Sequence, residues 1–586
     1  MGKAPSRTPT SKRTELREAL DACRSAFWAI GLFSGMSNIL MLTGSMFMLE
    51  IYDRVLPSRS VSTLVALLML AAGLYGALAI LDLIRGRIMV RIGNSLDEAV
   101  SERVYDAIVR LPLIIGNRGD GIQPLRDLDA VRSFLSGLGP IAFFDLPWIP
   151  FYLAICFAFH PYIGLTALVG AVVLVALTLV TEMMMRRPGK DVADHGRNRS
   201  LLAEASRRNS EAILAMGMNA RLAKRWTQTN QQYVTANRVA SDVGGGLGAL
   251  SKVLRMLLQS MLLAVGALLV INQQATAGVI IAGSILGARA LAPVDLAIAN
   301  WKAFIAARQG WGRLNQLLTA LPAAAAPMTL DAPIHTLVVE NASAAPPGEQ
   351  KIVVFDVALK LEAGNGLGII GPTASGKSSL ARMLVGIWRP VRGRVSLDGA
   401  ALDQWSPEGL GQHVGYLPQD VELMAGTVAQ NIARFEEDAD PNLVLAAARA
   451  AGVHDLIVSL PEGYGTQVGE HGAALSAGQG QRIALARALY RDPFLVVLDE
   501  PNANLDSEGD EALTQAILSV RKRNGIVVVV AHRPSAITGV DLILVMNKGR
   551  MHHFGPKDEI LAKALPRPAG AARPLQVVPD SAGRSA

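Results

Sequence analysis

The residues with the most specific chemistry form a glycine-rich segment, Gly371 to Ser378, that reads Gly-Pro-Thr-Ala-Ser-Gly-Lys-Ser. It follows a short apolar run, 367–370, and precedes a stretch compatible with a helix. In this strand–loop–helix context the pattern binds phosphates, because its backbone N–H groups turn inward and the helix N-terminus favours an anion. Lys377 can reach the β- and γ-phosphates, and the Ser378 hydroxyl can bind Mg²⁺. The pattern therefore predicts a bound nucleoside triphosphate.

Two consecutive carboxylates follow a second apolar run, which begins at Phe494 and ends in Asp499 and Glu500. Ligands of open α/β sheets bind at the carboxyl ends of the strands, so these acids should face the phosphates. Asp499 fits the role of holding Mg²⁺, and Glu500 fits the general base that polarises the attacking water. The residues predicted from the loop itself to contact ATP are Gly371, Pro372, Thr373, Ala374, Ser375, Gly376, Lys377, Ser378 and Ser379.

Between these two segments lies Leu-Ser-Ala-Gly-Gln at 475–479, which resembles the L-S-G-G-Q signature of the ATP-binding cassette (ABC) family. Other motifs of that family stand in order: Gln419 after Tyr-Leu-Pro, Asn-Leu-Asp ending at Asp506, and His532 after the apolar run 526–530. Taken singly, Gln419 is also compatible with an ordinary loop residue and His532 with a histidine at a strand end. Their common order and spacing favour the family resemblance.

The resemblance implies a head-to-tail dimer that binds ATP and Mg²⁺ between its subunits. Ser476 and Gly478 of one subunit would cap the γ-phosphate bound by Lys377 of the other. Gln419 would couple Mg²⁺ to the transport domain, and His532 would contact the γ-phosphate. The implied catalytic residues are Glu500, His532 and Gln419; the implied Mg²⁺ ligands are Ser378, Gln419 and Asp499; and further ATP contacts are Ser476, Gly478, Gln479 and Asp506.

The chain departs from the family pattern at two places. Ala477 replaces a signature glycine. The family also places an aromatic residue that stacks on adenine before the phosphate-binding loop, whereas residues 344–348 here read Ala-Ala-Pro-Pro-Gly. We therefore expect reduced selectivity for ATP over GTP.

The composition indicates a membrane protein of more than one domain. The chain has 586 residues, of which 51% are hydrophobic and 18% charged, and its mean hydropathy is +0.31. Few soluble proteins carry so little charge. The net charge of +7 lies largely in loops between apolar segments, so no nucleic-acid partner is expected. With Cys23 and Cys156 as the two cysteines, a disulfide framework is excluded and a metal site on cysteine is not expected.

Apolar stretches long enough to cross a bilayer occur near 25–49, 61–84, 138–159, 162–184, 256–272 and 278–300. The first is too long for a cleaved signal peptide. The segments 85–132 and 186–238 are basic, while the alternate connections are short. By the positive-inside rule both basic segments and both termini are cytoplasmic, which predicts a multi-pass membrane protein. We expect the basic segments to be helical extensions; independent soluble domains of that size would have little core.

These observations predict a polytopic α-helical membrane domain with six transmembrane helices, fused to an α/β P-loop ATPase domain. The predicted boundaries are a cytoplasmic N-terminal arm at 1–24, the transmembrane domain at 25–316, a linker at 317–334, the ABC nucleotide-binding domain at 335–565 and a disordered tail at 566–586.

Within the ABC exporters, several strings resemble the PrtD-type exporters of bacterial type I protein secretion. They are Tyr52–Leu56, Asp145–Pro150, Ala292–Lys302, Val338–Asn341 with Ala345–Gly348, and Pro501–Asp506. The resemblance implies a homodimer in the membrane lipid that works with a periplasmic membrane-fusion (adaptor) protein and an outer-membrane channel protein. Its substrate would be a secreted polypeptide, exported unfolded. The resemblance also implies a place in the bacterial inner membrane. Because no peptidase domain precedes the first span, we expect a substrate with an uncleaved secretion signal, which by the same resemblance would be C-terminal.

Two alternatives belong to other functional classes. The six spans exclude a non-transporting ABC ATPase such as a repair or translation factor. An exporter of lipid or small hydrophobic molecules has the same motifs, and the sequence leaves it open.

Asp145, Arg289 and Asp295 are charged residues that fall within apolar segments. Charges at membrane depth are costly unless they face water or a partner, so these residues are candidates for the transport pathway. For Asp145, a position at a helix end near the headgroups is an equally good interpretation. Pro293 is expected to kink or break the sixth helix.

Overall fold

The computed structural model describes residues 14–116, 121–322, 330–469, 472, 474–531 and 533–564. Most of the predicted N-terminal arm, residues 323–329 of the predicted linker, the predicted tail and His532 lie outside these residues. The chain divides into two compact units, Met1–Ala107 with Ile122–Leu321, and Ile108–Gly121 with Pro322–Ala586.

The first unit is built from helices. In chain order the helices up to the start of the second unit's sheet are α1 (Glu15–Ala22), α2 (Arg24–Leu40), α3 (Thr43–Glu50), α4 (Leu56–Ser58), α5 (Val61–Arg110), α6 (Pro112–Ile115), α7 (Gln123–Ser136), α8 (Gly139–Asp145), α9 (Ile149–Phe159), α10 (Pro161–Arg208), α11 (Ser210–Ala215), α12 (Asn219–Ile271), α13 (Ala277–Ala299) and α14 (Trp301–Ala320). The predicted linker thus begins within α14.

By length and composition, 6 helical stretches among the described residues can cross a membrane, as the sequence predicts. They are Arg24–Ser58, Val61–Ile115, Gly139–Phe159, Pro161–Arg208, Asn219–Ile271 and Ala277–Ala299.

Three of these helices are much longer than a bilayer requires. Helices α5, α10 and α12 have 50, 48 and 53 residues. At about 1.5 Å per residue, each is roughly 70–80 Å long, whereas the hydrocarbon core is about 30 Å thick. The expectation that the basic segments continue the spanning helices is therefore confirmed for α10 and α12, and for the part of 85–132 that lies in α5.

Helix α13 excludes a break at Pro293, and a kink there stays a prediction. The helix runs unbroken from Ala277 to Ala299 with Pro293 buried inside it. Its N-terminus is held by Asp53, whose carboxylate accepts hydrogen bonds from the Gly278 backbone N–H at 2.8 Å and the Thr276 hydroxyl at 2.6 Å. A carboxylate at this end satisfies free N–H groups and complements the helix dipole.

A buried polar network within the first unit involves Asp145. Its Oδ1 accepts hydrogen bonds from Asn38 at 2.9 Å and from the Arg85 guanidinium at 3.2 Å. Arg85 also donates to the Ser34 hydroxyl at 3.0 Å, and the Tyr152 hydroxyl donates to the Asn38 side-chain oxygen at 3.0 Å. Asp145 is the last residue of α8, and its carboxylate is buried and paired with a cation from α5. Its position near the headgroups and its pathway role stay predictions.

The other two candidate pathway charges are more accessible. Asp295 forms an ion pair with Arg255 of α12, and both side chains are partly exposed. Arg289 is exposed. A pathway role for Arg289 and Asp295 stays a prediction.

The second unit contains a mixed ten-stranded sheet in the order β5-β4-β1-β2-β10-β9-β3-β8-β7-β6. Its strands are β1 (Thr336–Ala344), β2 (Val354–Glu362), β3 (Gly366–Ile370), β4 (Arg392–Leu397), β5 (Ala400–Ala401), β6 (Val414–Leu417), β7 (Leu495–Asp499), β8 (Ile526–Val530), β9 (Leu542–Asn547) and β10 (Arg550–Pro556). The helices of this part are α15 (Lys377–Leu384), α16 (Pro407–His413), α17 (Val428–Ile432), α18 (Pro441–Ala450), α19 (His454–Val458), α20 (Ala477–Leu489), α21 (Ser507–Lys522) and α22 (Lys557–Ala564).

Four neighbouring parallel strands, β3, β8, β7 and β6, position the predicted site. In their register Ile369 lies opposite Val530, Val530 opposite Asp499, and Leu498 opposite Leu417. Strands β7 and β8 are fully buried, which fits their continuous apolar sequences. The carboxyl ends of all four strands therefore meet at one edge of the sheet.

The Arg85–Asp145 pair generates a stability prediction. Changing Arg85→Met leaves a buried carboxylate without its cation, and breaking such a pair costs about 3–5 kcal/mol. We expect a clearly lower Tm of the protein in detergent, with most of the loss recovered when Asp145→Asn is added.

The matched control is Arg54→Met, because the Arg54 side chain is 75% exposed and its ion pair with Glu50 has a length of 3.8 Å. Exposed pairs contribute about 0–1 kcal/mol. Equal shifts in Tm for the two single variants would contradict a stabilising role of the buried network.

Candidate active site

The phosphate-binding loop joins the end of β3 to the start of α15 and is shaped by three left-handed residues. The backbone angle φ is 151° at Gly371, 62° at Ala374 and 95° at Gly376. A Cβ atom at Gly371 would lie 2.1 Å from the Met546 carbonyl oxygen, so only glycine fits there. Ala374 adopts its conformation despite a Cβ, at a cost of about 1–2 kcal/mol. The loop is thus held in a strained curve before α15 begins.

Lys377 lies across this loop. Its side chain is almost fully buried, and its ammonium group donates to the carbonyl oxygens of Gly371 and Pro372, both at 3.0 Å. Burial lowers the pKa of Lys377, while the carboxylates of Glu500 and Asp499 act in the opposite direction. The ammonium group is therefore already held at the loop that is predicted to bind phosphate.

Ser378 and Asp499 form the contact predicted for an Mg²⁺ site. The Ser378 hydroxyl donates to Asp499 Oδ1 at 3.0 Å. Asp499 is 1% exposed, and burial raises the pKa of its carboxyl group. Among the described residues, its Oδ2 atom has no hydrogen-bond partner. A buried, unpartnered carboxylate oxygen beside a hydroxyl fits the hard oxygen ligands that Mg²⁺ requires.

Glu500 follows immediately and leaves the strand. Its φ is 52°, and its backbone N–H donates to the Val530 carbonyl at 3.0 Å. Glu500 is half-buried next to the buried Asp499. The structure therefore brings the predicted base and the predicted Mg²⁺ ligand to the sheet edge that carries the phosphate-binding loop.

Gln419 lies at this same edge. It follows β6, whose last residue Leu417 pairs with Leu498 of β7, and Gln419 itself is exposed. The position of His532 lies outside the described residues. Its neighbour Ala531 follows β8 directly, and Val530 pairs with Asp499. The roles of Gln419 and His532 stay predictions.

The signature segment begins helix α20 with a reciprocal cap. The Ser476 hydroxyl accepts from the Gln479 backbone N–H at 3.3 Å, and the Gln479 side chain accepts from the Ser476 N–H at 2.9 Å. Ala477 is exposed at the first helical position, whereas a Cβ at Gly478 would lie 2.8 Å from the Asn504 carbonyl oxygen. The backbone therefore requires glycine at 478, and the exposed position of Ala477 accommodates its methyl group.

Asp506 caps the next helix in this region. Its Oδ1 accepts from the Gly509 backbone N–H at 2.9 Å and also from the Arg482 guanidinium. Both hydrogen bonds hold the pKa of Asp506 below its usual range, and the one from the Gly509 N–H has the larger effect. The structure thus uses Asp506 to tie α21 to α20 within one chain, and its predicted contact with ATP stays a prediction.

Arg434 has a structural role that was not predicted from the sequence. Its guanidinium donates to four carbonyl oxygens: those of Gly411 at 2.6 Å, Arg487 at 3.0 Å, Ala488 at 3.2 Å and Val414 at 3.3 Å. Gly411 and the pair 487–488 lie in the last turns of α16 and α20, where carbonyl groups lack helical partners and a cation is favourable. Burial lowers the pKa of Arg434. A single arginine after an apolar stretch has no sequence pattern that signals such a role.

The region expected to contact adenine is a tight turn after β1. Strand β1 ends at Ala344, and the Glu349 N–H donates to the Pro346 carbonyl at 3.0 Å. Gly348 has a φ of 73°. The turn at 344–348, where the resemblance leads us to expect an aromatic residue, thus contains Pro346 and Pro347.

Comparisons with known proteins agree with this geometry. The family model described as ABC transporter matches residues 354–503, and the one described as ABC transporter transmembrane region matches residues 27–288. The type I secretion system ATP-binding protein PrsD of Rhizobium meliloti (strain 1021) is 57% identical over 97% of both chains. The toxin RTX-I translocation ATP-binding protein of Actinobacillus pleuropneumoniae is 28% identical over 90% of this chain and 75% of that protein.

A solved structure of a bacterial Atm1-family ABC exporter with ATP bound is also similar. The TM-score is 0.77 at 21% sequence identity, and the match covers 93% of this chain and 97% of that one. At this identity the likeness concerns the fold alone.

The site predicts different effects for its base and its lysine. We expect Glu500→Gln to reduce steady-state ATP hydrolysis by at least about 100-fold and to leave ATP binding intact, because it removes the group that takes a proton from water. Lys377→Ala should instead weaken ATP binding, because it removes a charge-assisted phosphate contact. ATP hydrolysis and equilibrium ATP binding are measured on both variants. A Glu500→Gln rate within a few-fold of the unchanged protein would contradict the assignment.

The turn at Pro346 predicts relaxed base selectivity. Stacking of a base on an aromatic side chain is worth about 1–3 kcal/mol, and residues 344–348 offer no aromatic side chain for it. We expect GTP to compete measurably with ATP, and Pro346→Tyr to increase the preference for ATP. Competition binding of both nucleotides checks this. A preference for ATP above about 100-fold, near 2.7 kcal/mol, in the unchanged protein would contradict it.

Proposed function

The chain belongs to the ABC transporter family, and on that premise we propose that it is the ATP-driven inner-membrane exporter of a type I secretion system. Its proposed cargo is an unfolded polypeptide that carries a C-terminal signal. The observation that carries this proposal is the 57% identity, over 97% of both chains, to a relative named as a type I secretion system ATP-binding protein. The toxin translocation protein, matched over 90% of this chain, supports the same class of cargo.

The site residues account for the chemistry of hydrolysis. Backbone N–H groups of the strained loop and the start of α15 would hold the phosphates, and Lys377 would exchange its carbonyl contacts for phosphate oxygens. Ser378, Asp499 and Gln419 would hold Mg²⁺, which when bound neutralises charge on the phosphates. Glu500 would accept the proton of the attacking water. His532 would contact the γ-phosphate.

A homodimer fits the exposed start of the signature helix. Ser476 and Ala477 are exposed, and their helix presents its N-terminus to solvent. A helix N-terminus attracts anions, so this surface is suited to a phosphate held by a second copy of the chain. Each copy would contribute Ser476, Gly478, Gln479 and Asp506 to the ATP bound by the other.

The proposed orientation places both termini and the ATPase in the cytoplasm. The sixteen residues from Arg186 onward include Arg186, Arg187, Lys190, Arg197 and Arg199, and they follow the apolar part of α10. Cytoplasmic segments beside membrane helices are enriched in such residues. The proposed partners are a periplasmic adaptor protein and an outer-membrane channel protein, with membrane lipid around the spanning helices.

The cargo proposal is tested by the ATPase activity of the protein in nanodiscs. We expect an unfolded polypeptide with its cognate C-terminal signal to change the hydrolysis rate by about two-fold or more, because cargo that contacts the two transport states differently shifts their equilibrium. The same polypeptide without the signal is the matched substrate control, and Glu500→Gln is the protein control. Stimulation by lipids or hydrophobic drugs, together with no response to the signal, would favour a lipid or small-molecule exporter instead.

A further inference from the structure

Gln481 is a buried side chain of the signature helix that reaches the turn after β7. It is 2% exposed. Its amide nitrogen donates to the carbonyl oxygens of Pro501 at 2.6 Å and Glu500 at 3.3 Å, and its amide oxygen accepts from the Asn504 backbone N–H at 3.0 Å. A single neutral side chain thus satisfies three backbone groups of the segment that begins at the catalytic base.

The turn that Gln481 contacts is strained. Glu500 has a φ of 52°, in the left-handed region that residues with a Cβ rarely adopt. Such conformations persist where the surroundings fix them. On the sheet side the Glu500 N–H is bonded to Val530, and on the helix side the Glu500 carbonyl is bonded to Gln481. The Glu500 carbonyl also accepts from the Ala503 N–H at 3.3 Å within the same turn. Loss of Gln481 would leave these two backbone contacts and remove the hydrogen bond that joins Glu500 to α20.

The next residue of the helix holds the far end of the same segment. Arg482 is paired with Asp506, whose carboxylate also caps α21. Helix α20 therefore contacts both ends of the segment 500–506, its start through Gln481 and its end through Arg482. Gln481 is five positions after Ser476 in the chain. At about 1.5 Å per residue, the two lie roughly 7.5 Å apart along the helix axis.

We propose that Gln481 is a positioning residue for the general base Glu500 and links it mechanically to the signature helix of its own chain. A shift of Ser476 on meeting a phosphate of the second copy would move Gln481, because both lie on one short rigid helix. Gln481 would pass that shift to the backbone of Glu500. The inference rests on ATP hydrolysis and not on the nature of the cargo, so it is tested without cargo and can fail independently of the export proposal.

The test compares Gln481→Leu with Gln404→Leu in the full-length protein. Gln404 is the matched control, because its side chain accepts a hydrogen bond from the Ala401 N–H at 2.9 Å in a different part of the chain. We expect Gln481→Leu to lower kcat about 10- to 100-fold, as a displacement of about 1 Å at a catalytic group does, with KM for ATP unchanged within about two-fold. Gln404→Leu should leave both constants unchanged.

A double-mutant cycle separates positioning from general stability. If Gln481 acts through Glu500, adding Gln481→Leu to Glu500→Gln should not lower the residual rate further, because the two residues work as a unit. The proposal would be overturned if the fold-losses in kcat of the two single variants multiplied in the double variant. It would also be overturned if the kcat of Gln481→Leu were within two-fold of that of the unchanged protein.

A second variant keeps the test decisive if Gln481→Leu does not fold. Gln481→Met keeps the side-chain length, stays neutral in the buried site and loses the hydrogen bonds to Glu500, Pro501 and Asn504. We expect unchanged ATP binding with a lowered kcat in the folded variant. An unchanged kcat in this folded variant would overturn the proposal equally.

Discussion

The hydrogen bond between Ser378 and Asp499 is the contact on which the active site depends. It joins the first helix after the phosphate-binding loop to the end of a fully buried strand, and the parallel register of β3, β8, β7 and β6 places both residues at one edge of the sheet. Everything else at the site is arranged around this contact. Lys377 precedes Ser378 in the helix, and Glu500 follows Asp499 where the chain leaves the strand.

The loop, the strands and the spans follow from local sequence, and the structure agrees with them. Phosphate-binding glycines are recognisable because specific positions such as Gly371 exclude a Cβ atom. Strands such as 526–530 are recognisable as continuous apolar runs, and spans by length and hydropathy. The strands and spans are recognisable from residues close in the chain, and the loop from its motif, although the atom that requires glycine at 371 is the distant Met546 carbonyl oxygen.

The features that sequence reasoning missed depend on distant pairs. The free-energy cost of placing Asp145 in an apolar segment was predictable from the sequence. Its partner Arg85 was not, because it lies 60 residues away in the chain. Gln481 lies in a recognised motif, but its three backbone contacts appear only when α20 packs against the turn after β7. Arg434 meets two helix ends that are brought together by the fold. Pro293 was expected to kink or break the sixth helix, and α13 runs through it without a break.

We propose that ATP hydrolysis at this site moves a polypeptide across a membrane. Reconstitution in liposomes with the ATPase facing outward tests this proposal. The measurement is the fraction of a labelled, unfolded polypeptide with its C-terminal signal that becomes protected from added protease. The account predicts protection that requires ATP and is lost both with Glu500→Gln and without the signal. Lumenal protection that is equal with and without ATP, or ATP-dependent movement of lipid with no protected polypeptide, would contradict it.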